Sequence, residues 1–409
     1  VPTLGDRIRK IRKQQKITLE ALAGSELTKG MLSLIENNKA NPSMESLNYI
    51  AYQLGVDVSE LLEEVSTQDL REVLEKAELL FNTKYEDLTN EYEQIIDLIE
   101  PCVPKLTQGY EAARLLELYS RCISLKDKEY SLKLLKQVAL MYEQLNLTTK
   151  RAEIGTFFAL VPYTNHNYQE ALNILLSERS QLEMNPLWID PLSRLDYDYL
   201  EAVLYFAVGQ HEDAIDKMEK AIAYSNKHKI FKQVDNLYRL ATAHAMMATD
   251  EEKKEYYLQK LLAYSEFAED EDSKIFISYA NIHYLTSFKK LYKEADQLYN
   301  DTFKVRIQNK LFAPYFLLER GKTLYGLQQF EDALKKLEAV EIPSILHHPF
   351  DLSIFYEKDA YAALCYMELG QQEKALEAAQ FAIDNINKMP DSPYKSFIKE
   401  TYEKITGGK

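Results

Sequence analysis

The chain is most informative first in what it lacks. Among 409 residues there are three cysteines and a single tryptophan. Cys102, Cys122 and Cys365 are an odd count without CxxC spacing, so they read as reduced core residues rather than a disulfide framework or a metal set. No apolar run approaches the roughly 18 residues that would span a bilayer, and the opening VPTLGDRIRKIRK has no apolar segment behind its charges. We therefore expect a cytoplasmic protein with no membrane partner. HExxH, GxGxxG, GxxxxGK and GxSxG are all missing, which removes the familiar signatures of metalloprotease, nucleotide and hydrolase chemistry. The expectation is a protein that is not an enzyme, with no cofactor and no metal. His347-His348, followed by Pro349, has no further ligands nearby and reads as an exposed turn. Asp250-Glu251-Glu252 and Glu269-Asp270-Glu271-Asp272 lack the spacing of a calcium loop and read as solvated helix starts.

What is present is an apolar fraction of 46%, ample for a core, and a net charge of −15 that is unevenly spread. Residues 1–50 hold eight Lys or Arg against five acids, a net +3, which leaves −18 for the remainder. An acidic body of that size repels nucleic acid, so only the small cationic head offers a nucleic-acid surface.

The longer part of the chain is organised around GQHEDAIDKMEKAIAY, Gly209 to Tyr224. Gly209-Gln210 ends one helix, Glu212-Asp213 complement the positive end of the next, and Ala214, Met218 and Ala221 recur at helical spacing. The Ala214 position returns as Leu88, Ser131, Ala171, a blurred copy between Lys253 and Tyr256, Ala295, Ala333 and Ala375. One hairpin buries a single face, so it must stack on its copies. Tyr205, Ala214 and Ala221, with Gly321, Phe330 and Ala333 and with Tyr366, Ala375 and Ala382, resemble the signature positions of tetratricopeptide repeats. The intervals of 43, 38 and 42 residues exceed that family's 34 and imply longer helices or loops.

In the head, Leu4, Ile8 and Ile11 form one stripe, Thr18 and Thr28 cap two further helices, and Leu32 and Ile35 face inward. Leu47, Ile50, Ala51 and Leu54 mark a fourth helix and Val58, Leu61 and Leu62 a fifth. Five short helices with a tight turn between the second and third follow the plan of a helix-turn-helix domain. The stretch from Leu27 to Val56, in particular the Leu-Ser-x-Ile-Glu-Asn-x-Lys-x-x-Pro-Ser run from Leu32 to Ser43, resembles the phage-repressor-like regulators. Leu19 stands where that family often has a glutamine, and Asn38 where a glycine is common. With Leu32 and Ile35 buried, Thr28, Lys29, Gly30 and Ser33 are expected at base edges and Arg7, Lys39 and Asn41 at phosphates.

The fold expected is all-α: a five-helix head over 1–64, a linker helix over 65–84, and over 85–409 a tetratricopeptide-like right-handed superhelix of helical hairpins that binds a peptide and oligomerises. A repressor-type head on such an array resembles the peptide-responsive regulators of the Rap-NprR-PlcR-PrgX family, its array length most similar to the NprR type. That resemblance implies quorum sensing: a double-stranded DNA operator and a short signalling peptide as partners, and a homodimer or higher oligomer. Two alternatives stand beside it, a repeat domain that binds a phosphorelay response regulator, and a scaffold that only oligomerises a constitutive DNA-binding protein. An extended peptide needs partners for its own N–H and C=O groups, which side-chain amides supply. On the first helices of the central repeats Asn236 and Asn281 are the expected clamps, with Arg239 for a carboxylate. Tyr199, Tyr238, Tyr279, Tyr284 and Tyr315 are expected to shape the channel, although most of the 29 tyrosines read as ordinary inter-helix packing.

Overall fold

The computed structural model describes residues 3–62, 67–83, 87–124, 126–184, 189–306 and 311–407. Every regular element among them is helical, and the chain divides into two compact units, Val1–Leu147 and Thr148–Lys409.

The first unit begins with α1 (Leu4–Gln14), α2 (Leu19–Ala23), α3 (Lys29–Glu36), α4 (Met44–Leu54) and α5 (Val58–Leu62). Their starts follow from capping. Thr3 forms a reciprocal box with Asp6, and Thr18, Thr28 and Ser43 accept from the N–H groups of Ala21, Met31 and Ser46. Ile8, Leu22, Leu32, Leu47 and Ile50 close one core. Asn38 takes a left-handed backbone at φ +57°, and its Oδ1 accepts from the Gly5 N–H at 3.1 Å. A Cβ on Gly5 would stand 2.2 Å from the Ile35 carbonyl oxygen, so this glycine sets how closely α1 approaches α3.

After the head come α6 (Thr67–Phe81), α7 (Glu91–Ile99), a 3₁₀ turn (Glu100–Lys105), α8 (Tyr110–Ile123) and α9 (Lys128–Gln144). Residues 65, 66 and 84 of the expected linker helix lie outside the described residues. Helix α6 itself is more than a linker. It packs on α7 and α8, with Ala77 fully buried and Glu78 in a two-pronged pair with Arg114. Leu88 does not hold the expected repeat position on a helix, because it lies in the irregular segment before α7. Ser131 does occupy the buried small-residue position of α9.

The second unit is a run of hairpins: α10 (Thr148–Tyr163) with α11 (Tyr168–Glu183), α12 (Pro191–Ala207) with α13 (His211–His228), and α14 (Val234–Met247) with α15 (Glu251–Ala268). Next come α16 (Glu271–His283), prolonged by a π-turn over Tyr284–Lys289, with α17 (Tyr292–Arg306), then α18 (Ala313–Gly326) with α19 (Phe330–Glu338), α20 (Pro349–Glu368) with α21 (Gln372–Ile386), and a final α22 (Pro393–Thr406). Ala171, Ala214, Ala295, Ala333 and Ala375 are each fully buried, as close helix approach requires. The blurred copy resolves to Lys254, a lysine with 6% exposure at the place where the other repeats carry a small residue. The tight connection inside each hairpin needs a left-handed residue. Gly209 and Gly370 supply it in two, whereas His166, Thr249 and Gln328 adopt the same conformation in others.

Candidate functional site

The head presents α3 outward. Thr28, Lys29 and Gly30 are exposed and Ser33 half-buried, and Lys39 and Asn41 are exposed just beyond the helix. Lys29 makes only an exposed ion pair with Glu20, at 2.7 Å. Met31 and Leu34, which periodicity alone did not single out, share this outer side at 47% and 45% exposure. Arg7 corrects the sequence reading. It is 6% exposed, and its Nε donates to the Leu61 carbonyl at 3.0 Å, so it ties α1 to α5 and is not available to a phosphate. Glu36, buried at the end of α3, receives Arg12 through Nε at 2.5 Å and Nη2 at 2.8 Å, and Arg9 lies 3.5 Å from it. Much of the basic stripe of α1 is thereby spent on holding the head together.

In the second unit the first helices of successive hairpins surround a cavity of about 240 Å³. Helix α12 contributes Tyr199, Val203 and Phe206, and α14 contributes Asn236, Arg239, Ala243 and Met247, both at helical spacing. Phe276 of α16 and Tyr163 of α10 extend the wall. The remaining side is closed by chain from far along the sequence, with His348, Phe350, Asp351 and Ile354 at the start of α20 and Tyr394 of α22. Phe350 packs into the core that contains Phe206, its ring centroid 6.2 Å away, and the Tyr168 hydroxyl donates to the His347 carbonyl at 2.7 Å.

His347-His348 is therefore not an exposed turn. His348 caps α20, accepting from the Phe350 N–H at 3.3 Å on Nδ1, while Nε2 donates to the Val203 carbonyl at 3.2 Å. Burial pushes its pKa down to about 4, and the neutral ring has both nitrogens engaged. Asp351, one turn into the helix, is pushed up to about 6 by burial, against the lowering effect of the hydrogen bond from Tyr315.

The structure separates the expected peptide contacts. Tyr199, Asn236 and Arg239 line the cavity. Asn236 Nδ2 donates to Gln233 at 2.8 Å, and Arg239 Nη2 donates to Ser273 at 2.9 Å. Tyr279 and Tyr315 lie behind the wall, with rings 5.0 Å apart edge to face, and Tyr315 supports Asp351. Five of the eight expected contacts are therefore not in the cavity lining, Tyr279 and Tyr315 among them, and the other three lie further off. Tyr238, two residues or about 200° round α14 from Asn236, belongs to the core against Tyr257. Asn281, five residues or about 140° beyond Phe276, points to the neighbouring helix, where its Oδ1 receives Lys254 at 3.3 Å. Tyr284 lies beneath Lys254 and Lys289 and stacks on Phe288. Asn281 and Tyr284 thus accommodate the buried lysine of the irregular repeat.

Beyond Tyr394 the cavity wall continues into a buried ionic chain. His283 bridges Tyr394 and Glu319, with Nε2 2.9 Å from the hydroxyl and Nδ1 2.8 Å from the carboxylate. Lys322 donates to Glu319 at 3.0 Å and Glu357 at 2.7 Å, and Thr286 in the π-turn donates to Glu319. Glu319 is held down to about 2 despite burial, because Lys322 and His283 flank it. This network ties α16, α18, α20 and α22 together.

Residues 5–66 match the helix-turn-helix domain family. An immunity repressor protein of Bacillus phage phi105 is 33% identical over 95 residues, covering 23% of this chain, which spans 62% of that relative's length. Among solved structures, Bacillus thuringiensis PlcR in complex with the peptide PapR7 and DNA aligns at 19% identity over 76% of this chain and 100% of that chain, with a TM-score of 0.31. The competence regulator ComR from Streptococcus vestibularis, in complex with its cognate signalling peptide XIP, aligns at 20% identity over 66% of this chain and 96% of that one, with a TM-score of 0.34. The chain thus carries a helix-turn-helix domain at one end and, in its second compact unit, helical hairpins around a partly open cavity.

Proposed function

We propose that this protein is a transcription regulator whose head reads an operator and whose affinity for it is set by a short peptide held in the cavity of the second unit. The observation that carries the reading is the cavity wall itself. Asn236 and Arg239 stand one turn apart on the inner face of α14, Tyr199 on that of α12, above a floor of Val203, Phe206, Met247 and Phe276. Amide and guanidinium groups above an apolar floor suit a peptide, which brings backbone polar groups and side chains together. The head supports the DNA half of the reading through Thr28, Lys29, Gly30 and Ser33 on one exposed side of α3, with Lys39 and Asn41 beside it for phosphates. One such head reads only a few base pairs, so the active species is a homodimer or higher assembly on a two-fold operator.

Selection of bound sequences from random double-stranded DNA, followed by titration of the selected site, tests the reading. A recurring, two-fold related site is expected. Equal affinity for selected and random DNA would overturn the regulator assignment.

A further inference from the structure

Asp351 is unusual among the carboxylates of the second unit. Its side chain faces the cavity and receives the Tyr315 hydroxyl, but among the described residues no lysine or arginine lies within ion-pair distance of it. Glu319 and Glu357 share Lys322, and Asp198 and Glu201 share Arg179 and Lys217; Asp359 also has no ion pair among the described residues, but it does not line the cavity. A carboxylate taken out of water without a cation is costly, and the fold retains Asp351 at the cavity wall. Around it the cavity is walled by the rings of Tyr163, Tyr199, Phe276, Phe350 and Tyr394. Aromatic faces carry negative potential and attract cations, more strongly when water is excluded.

The opposite wall holds Arg239. Its guanidinium already lies 3.8 Å from Asp235 and 3.6 Å from Asp270, while its buried Nε has no hydrogen-bond partner. A ligand carboxylate here would meet the field of those two acids. A neutral carbonyl satisfies the Arg239 donor without that repulsion. The sequence expectation of a carboxylate at Arg239 is therefore inverted.

We propose that the cavity binds a ligand ammonium group, seated on Asp351 within the aromatic wall, with a ligand carbonyl on Arg239. The inference rests on the peptide reading above and deepens it. A peptide offers that ammonium from two sources, its amino terminus or a lysine side chain.

The test uses the full chain and heptapeptides selected from a random library with free amino termini. Each selected peptide is made in free, N-acetylated and lysine-to-norleucine forms and titrated calorimetrically against wild type, Asp351→Asn and Ala243→Trp, a substitution that fills the cavity. One of the two modifications should weaken binding to wild type by about tenfold or more, and Asp351→Asn should cost the unmodified peptide a similar factor while adding nothing to the loss of the modified one. Which modification acts identifies the source. A peptide excluded by Ala243→Trp that binds wild type and Asp351→Asn equally, in all three forms, would overturn the ammonium assignment while leaving a peptide site in place. Failure to select any binder would overturn both. Circular dichroism melts of the variants show whether each is folded.

Discussion

The head and the second unit use charge in opposite ways. In the head, Arg7 and Arg12 are consumed by Leu61 and Glu36, while the exposed cations include Lys13 and Lys16 at the end of α1 and just beyond it, and Lys29 and Lys39 on or just beyond the outer helix α3. In the second unit most buried charges sit on first helices, among them Glu319, Lys322 and Glu357 with His283 beside them, and Lys254 of α15 is the exception. A small domain fixes itself with arginines at its edges and leaves its polar surface to a polyanion. A stack of hairpins buries its first helices against their neighbours and must satisfy charge there with partners from other helices.

The largest effect is expected at Glu319. Replacing it by alanine leaves Lys322 buried with one partner fewer and removes the acceptor of His283, and we expect a loss of about 3–5 kcal/mol in chemical denaturation. A loss confined to a few tenths would show that the chain is dispensable. In the head, Arg7→Ala should cost about 1–3 kcal/mol of stability by stranding the buried Leu61 carbonyl. If instead it leaves the melt unchanged and flattens the salt dependence of DNA binding, Arg7 is a phosphate contact after all. Lys29→Ala and Ser33→Ala should relax base preference, with about 1–3 kcal/mol lost per base contact, whereas Lys39→Ala should weaken all sequences alike and reduce the salt slope. Unchanged selectivity in a competition titration would show that α3 is docked wrongly.

The smallest effect concerns Asp359, whose Oδ2 is buried without a hydrogen-bond partner and whose pKa burial raises to about 6. A carboxyl with a raised folded value favours the native state while protonated, so its contribution is full below its unfolded pKa and is lost as pH rises through about 6. Asp359→Asn should therefore raise the melting temperature more at pH 7 than at pH 5. Equal gains at both would mean that the carboxyl is not desolvated.

Much of the fold was legible because it depends on residue type at fixed spacing. Thr18, Thr28 and Ser43 cap where they should, and Asn38 adopts the glycine-like turn. The repeats could be phased from Ala171 to Ala375, but Gly209 and Gly370 mark only two of the hairpin turns, since His166, Thr249 and Gln328 take the left-handed conformation elsewhere. The site was legible only in part. Asn236 and Arg239 face the cavity, while Asn281 looks equivalent in composition but lies on another side of its helix, pinned by Lys254. The burial of Lys254, at a position the repeat pattern assigns to a small residue, is the one signal that could have warned of this. His348, Asp351 and Tyr394 reach the site through the return of the C-terminal hairpin onto α12, a contact 145 residues apart in sequence at His348 and Val203, which no local periodicity encodes.

On the proposed function, occupancy of the cavity in the second unit changes what the head does on DNA. Fluorescence anisotropy titration of a selected operator, with and without a selected peptide, measures this directly. The account predicts a shift in operator Kd of about threefold or more, within the usual range of coupling between sites, that is lost in Ala243→Trp. A peptide that binds the cavity yet leaves the operator titration unchanged in the wild-type chain would contradict it.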